Sequence, residues 1–150
     1  MKLYIGADHG GFHLKETIEA YLKSSGYEVI DEGNNEYDPD DDYPQFAAKV
    51  ATSVLSSDDH EARGIIVCTS SQGVAMAANR FKGIRASVVW DAYEARLTRE
   101  HNDSNVLCLS GRLMQDNPAL WQGVVETWLS TPFSRAARHS RRVKELDNLN

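Results

Sequence analysis

A chain of 150 residues with 41% apolar content is long enough for one core and one domain and too short for two. Its formal net charge of −6 argues against nucleic acid or an anionic membrane as a partner, and no apolar run nears the roughly 20 residues of a membrane span. The N-terminus enters a strand without secretory-leader architecture, so the expected location is cytoplasmic.

In chain order, residues 2–7 read as a first strand and 12–25 as an amphipathic helix carrying Phe12, Leu14, Ile18, Tyr21 and Leu22. Gly26 stops that helix. Residues 27–31 read as a second strand, and 33–42 (GNNEYDPDDD) as a solvated acidic loop. A second helix runs to about residue 55, with Pro44 in its first turn, where a missing N–H costs little. The stretch 64–80, GIIVCTSSQGVAMAANR, organises the rest: a buried strand ending at Cys68, a small polar turn from Thr69 to Gly73, and the helix-favouring run from Val74 to Ala78. Such a unit turns backbone N–H groups and a helix dipole toward a ligand. Residues 83–89 form a fourth expected strand, and 91–100 a helix with Asp91 as N-cap, closed by His101-Asn102-Asp103. A fifth strand at 105–109, a helix at 118–129 and a basic helix at 134–146 complete the chain.

This alternation predicts a three-layer α/β/α sandwich of 150 residues: a five-stranded parallel, Rossmann-like sheet, helices on both faces and right-handed crossovers, ending in the C-terminal basic helix. A ligand crevice is expected at the carboxyl ends of the strands, where Asp8-His9, the loop after Cys68, Trp90-Asp91 and Ser110-Gly111-Arg112 all fall.

Cys68, at a strand end facing a helix N-terminus, is expected to have a lowered pKa and to act as nucleophile or base; a small buried hydrophobe is the plainer alternative. Cys108 reads as core, and the absence of CxxC spacing points to reduced thiols. Asp8 and His9 either project into the crevice or, for Asp8, cap the first helix. His101 reads as a helix C-terminal cap, and His9 and His13 lie four apart without further ligands, so no metal is expected. Arg138 and Arg142 share a helical face suited to clamping a phosphate, although a solvated basic helix end is the plainer reading of these residues taken alone. With neither a Walker motif nor GxGxxG, ATP and NAD are poor candidates, and a flavodoxin-like nucleotide binder fits the fold pattern alone.

Together these segments resemble the ribose-5-phosphate isomerase B family, which includes galactose-6-phosphate isomerase subunits. The likeness lies in IGADHGGFHLKE, DYPQFAAKVA, GIIVC, AANRFKGIRA, ARLTREHNDSNVL, Gly111-Arg112, TPF and RHSRRV. It implies a cofactor-free, metal-free aldose–ketose isomerase working through an enediolate, with ribose 5-phosphate and ribulose 5-phosphate as the default pair. A four- or six-carbon sugar phosphate, or a non-catalytic sugar-phosphate-binding subunit, is the alternative. By the same resemblance, Cys68 is the base and Ser70 a hydroxyl near the reacting oxygens, while His101 assists ring opening with Asn102 beside it. Asp8, His9, Thr69, Ser71, Gln72 and Gly73 would contact the sugar, and Arg112, Arg138 and Arg142 the phosphate. A homodimer with shared sites is implied, its arginines serving the neighbour's cysteine, with a tetramer left open. Some relatives use a glutamate six positions after the cysteine; Val74 stands there, which leaves Cys68 as the base. Thr69 and Ser71 replace usual glycines, Trp90 replaces a smaller or polar residue, and one extra residue separates TPF from Arg138.

Overall fold

The structure is a computed structural model describing residues 1–149. The strands are β1 (Lys2–Ala7), β2 (Glu28–Asp31), β3 (Arg63–Cys68), β4 (Ala86–Val88) and β5 (Val106–Ser110). The helices are α1 (Phe12–Ser24), α2 (Tyr43–Ser56), α3 (Gln72–Ala78), α4 (Ala92–Asn102), α5 (Gly111–Met114), α6 (Pro118–Ser130) and α7 (Ala137–Asp147). All strand pairs are parallel, in the order β2-β1-β3-β5-β4.

Alternation along each strand divides the core between the two faces of the sheet. On one face Leu3, Ile5, Ile65, Val67, Leu107 and Leu109 pack with Leu14, Ile18 and Leu22 of α1 and with Trp121, Val124, Val125 and Trp128 of α6. On the other, Ile66, Cys68, Val106 and Cys108 pack with Ala47, Val50 and Ala51 of α2 and Val74, Ala75 and Ala78 of α3. The expected layered α/β architecture is therefore present. Because β1 lies between β2 and β3, the chain reverses direction across the sheet there, which opens a crevice at the carboxyl ends of β1 and β3.

Several boundaries differ from expectation. β4 is shorter than residues 83–89 because Gly83 takes φ 91°, Ile84 N–H closes a turn on Phe81 O, and Arg85 N–H donates to Asn105 Oδ1 rather than to a ladder. α4 keeps its Asp91 cap, whose carboxylate accepts from Glu94 N–H, but it runs through His101 and Asn102; Asp103, at φ 48°, is its C-cap. The four-residue α5, capped by Ser110, is an addition. Lys15 is fully buried: its ammonium pairs with Asp31 and Glu16 and donates to Asn34 O, tying α1 to the loop after β2. Among the described residues no helix is long and apolar enough to cross a membrane.

Candidate active site

Three strand ends meet so closely that their glycines admit no side chain. A Cβ on Gly10 would lie 1.9 Å from Thr69 Oγ1, and one on Gly111 would lie 2.3 Å from Gly10 O. The Thr69 carbonyl is held from β5, accepting from Ser110 Oγ at 2.7 Å and from Arg112 N–H at 3.3 Å. The loop after Cys68 is thus pinned by both neighbouring strands.

Cys68 is the last residue of β3, 5% exposed, and its Sγ accepts the Ser71 N–H at 3.1 Å. Ser71 is the N-cap of α3 and takes φ 65°, the left-handed conformation that glycine adopts without strain. Its buried hydroxyl donates to Ser70 O, within the loop. Among residues 69–73 only Ser71 has positive φ, so of the two departures from a glycine-rich loop, Thr69 costs no backbone strain. Ser70 and Gln72 are exposed, and Gly73 lies under the Tyr43 ring, whose Cζ would be 2.7 Å from an added Cβ.

The thiol departs from expectation in its acidity. Burial pushes the Cys68 pKa up and the Asp8 carboxylate adds to the rise, against the opposing pull of the Ser70, Ser71 and Val74 amides. A short helix supplies amides, yet the sulfur sits inside the second core cluster, where ionisation is costly. Burial likewise pushes up Cys108, a core residue as expected.

Asp8 does not cap α1, whose N-cap is Gly11 without a side-chain bond. It is 6% exposed, and its Oδ1 is buried without a hydrogen-bond partner. Burial pushes its carboxyl up, His9 pulls it down, and Asp41 raises it again. His9 Nδ1 lies 2.7 Å from Asp41 Oδ1, which also accepts the His9 N–H at 2.9 Å, and that bond raises the imidazole pKa. Asp41 corrects the reading of residues 33–42 as solvated: its side chain is 3% exposed and belongs to the site. Only its position just before Tyr43-Pro44 hinted at this, since acidic loops ordinarily face water. Ligand atoms of Asp8, His9 and Asp41 lie within 4.8 Å of one another, close enough to hold a cation, although the His9–Asp41 bond already engages two of them.

The remaining candidates lie elsewhere. α4 starts after β4 at the carboxyl edge and returns to the amino edge, where residues 103–105 lead into β5. His101 is therefore at the far edge, about 16 Å of strand away from Cys68. Its ring stands 4.3 Å from that of His139, whose Nδ1 meets Ser134 Oγ at 2.7 Å and whose Nε2 accepts from Arg138 Nε at 3.2 Å. Asn102, Arg138 and Arg142 are exposed on this same edge, which Arg85 fastens to α7 through Asp147. Arg112, grouped with these arginines by resemblance, is instead beside Thr69. Trp90 is 52% exposed at the end of β4.

The sequence profile of the Ribose/Galactose Isomerase family matches residues 3–146. Ribose-5-phosphate isomerase B of Mycolicibacterium paratuberculosis is 40% identical over 143 residues, covering 95% of this chain and 87% of the relative. Ribose-5-phosphate isomerase B of Clostridium thermocellum superposes with a TM-score of 0.92 at 43% identity, covering 99% of this chain and 97% of the other. The enzyme of that name from Mycoplasma genitalium, solved with bound ribulose-5-phosphate, gives a TM-score of 0.89 at 38% identity and coverages of 97% and 93%.

Proposed function

The chain belongs to the Ribose/Galactose Isomerase family, and from that membership we propose that it interconverts ribose 5-phosphate and ribulose 5-phosphate with Cys68 as the base. In the aldose-to-ketose direction the Cys68 thiolate takes the proton from C2, the electron pair moves into an enediolate, the O2 hydroxyl proton passes to O1, and the resulting thiol returns a proton to C1. In this reading the Ser70 hydroxyl and the loop amides stabilise the charge on the reacting oxygens.

The observation that carries this reading is Asp8 Oδ1, a buried acceptor without a protein partner beside the thiol. A buried orphan acceptor is costly, and a sugar hydroxyl would satisfy it. Ser71 also supports it, because it adopts the glycine-like conformation and keeps its hydroxyl bonded within the loop.

The far-edge position of His101, Arg138 and Arg142 supports a shared site. A two-fold dimer would set the amino edge of one chain against the carboxyl edge of its partner, so that ring opening and phosphate binding come from the second subunit. Isomerisation assays across four-, five- and six-carbon aldose phosphates test the proposal. Turnover of ribose 5-phosphate is expected, falling by about a thousandfold in Cys68→Ala while the sugar phosphate still binds. Turnover confined to another sugar would reassign the substrate, and none on any would indicate a binding subunit.

A further inference from the structure

A cleft of about 510 Å³ lies at the amino edge of the sheet, opposite the thiol, between the start of β3 and the segment that follows α6. Its size suits a small metabolite. Arg63, Arg85, Arg99 and Arg135 line it, together with the carboxylates of Asp59, Glu61 and Asp103. Arg85 is fully committed to Asp103 and Asp147. Arg99 spends Nε on Thr131 O and Nη1 on Ser104 O and Asp103, which leaves Nη2 outside those bonds.

Arg63 is different. It is 6% exposed, stacks 5.3 Å from the centre of the Trp128 ring, and gives Nη1 to the Trp128 and Leu129 carbonyls. Among the described residues no carboxylate lies within salt-bridge distance of it. Asp103 is shared between Arg85 and Arg99, and Asp59 is occupied by the N-terminus and the Lys2 N–H. Burial, then the nearby Arg99 guanidinium, pull the Arg63 pKa down to about 10 against the weaker opposing pull of Glu61 and Asp103, so the cation sits in low dielectric with no carboxylate paired to it directly.

We propose that this cleft binds a small phosphate-class oxyanion, with Arg63 at its floor and Arg99 and Arg135 as further donors. Guanidinium forks match a tetrahedral oxyanion, and such charge-assisted bonds are strongest where water is excluded. The cleft would read a phosphorylated metabolite at a site separated from the thiol of its own chain by the length of the sheet.

The test is calorimetric titration of the full chain with orthophosphate. The Arg112→Ala/Arg138→Ala/Arg142→Ala variant removes the arginines assigned above to the sugar's phosphate, so phosphate that it still binds reports the cleft. One phosphate per chain is expected in that background, weakened about tenfold or more when Arg63→Met or Arg135→Ala is added. Arg135 is exposed and its removal leaves the core intact, so it decides the matter if Arg63→Met fails to fold. Absence of phosphate binding in the triple variant, or affinity unchanged by Arg135→Ala, would overturn the site. Neither result bears on turnover of ribose 5-phosphate, which is measured separately.

Discussion

Cys68 Sγ accepts the Ser71 N–H at 3.1 Å, and Ser71 makes that contact from a left-handed backbone at φ 65°. A serine there carries a strain of about 1 kcal/mol that glycine lacks. Ser71→Gly should therefore raise stability by about that amount in urea unfolding and retain isomerase activity. A lower midpoint would mean that the buried hydroxyl outweighs the strain.

The raised thiol pKa sets the sign of the pH dependence. The base must be deprotonated, so kcat/KM should climb as pH rises toward the perturbed thiol pKa. Asp8→Asn removes a carboxylate that opposes ionisation and should move this limb to lower pH, whatever it does to the height of the profile. Thiolate ultraviolet absorbance, read without substrate, should shift in the same direction. A limb that stays in place would separate Asp8 from the thiol.

His9 binds its proton more tightly folded than unfolded because Asp41 holds the ring. Its contribution to stability is full below the unfolded-state pKa and is lost as pH rises through the raised folded one. Asp41→Asn should lower the His9 pKa in an NMR titration and flatten that decline. An unmoved titration would show that the bond does not persist in solution.

The glycines offer a paired contrast. Gly10→Ala drives a Cβ against Thr69 and should cost about 2 kcal/mol or more, together with much of the activity. Gly123→Ala, inside α6 with nothing within 4 Å of the new Cβ, should gain about 1 kcal/mol. Thermal melts of the two variants give the comparison.

Mixing Cys68→Ala with Arg138→Ala/Arg142→Ala tests the shared site. Each variant alone should be inactive, and unfolding and refolding them together should restore about a quarter of wild-type activity, because each mixed dimer holds one intact site. No recovery would place both groups in one chain.

Elements with strong periodicity were legible before any coordinates: β1, α1, α6 and the strand–turn–helix around Cys68 form nearly as written. Residues whose state depends on distant partners were not. Asp41 belongs to an acidic run that ordinarily faces water, and its bonds to His9, 32 residues earlier in the chain, hold it inside. Lys15 is buried by partners, Asp31 and Asn34, that lie 16 and 19 residues further along the chain. The acidity of Cys68 was misjudged because amide donors are visible in a motif, whereas desolvation depends on α2 and α3 packing over the strand. The separation of His101 and Arg138 from the thiol required knowing that α4 returns to the amino edge before α7 docks on it.

On the shared-site proposal, that separation makes dilution a form of inhibition. A chain with its base on one edge and its phosphate grip on the other holds every part of the proposed machine and cannot close it alone. Specific activity should then fall once the protein is diluted below the concentration at which two chains stay together. The cell would set turnover through abundance twice over, by the number of chains and by the fraction that are paired.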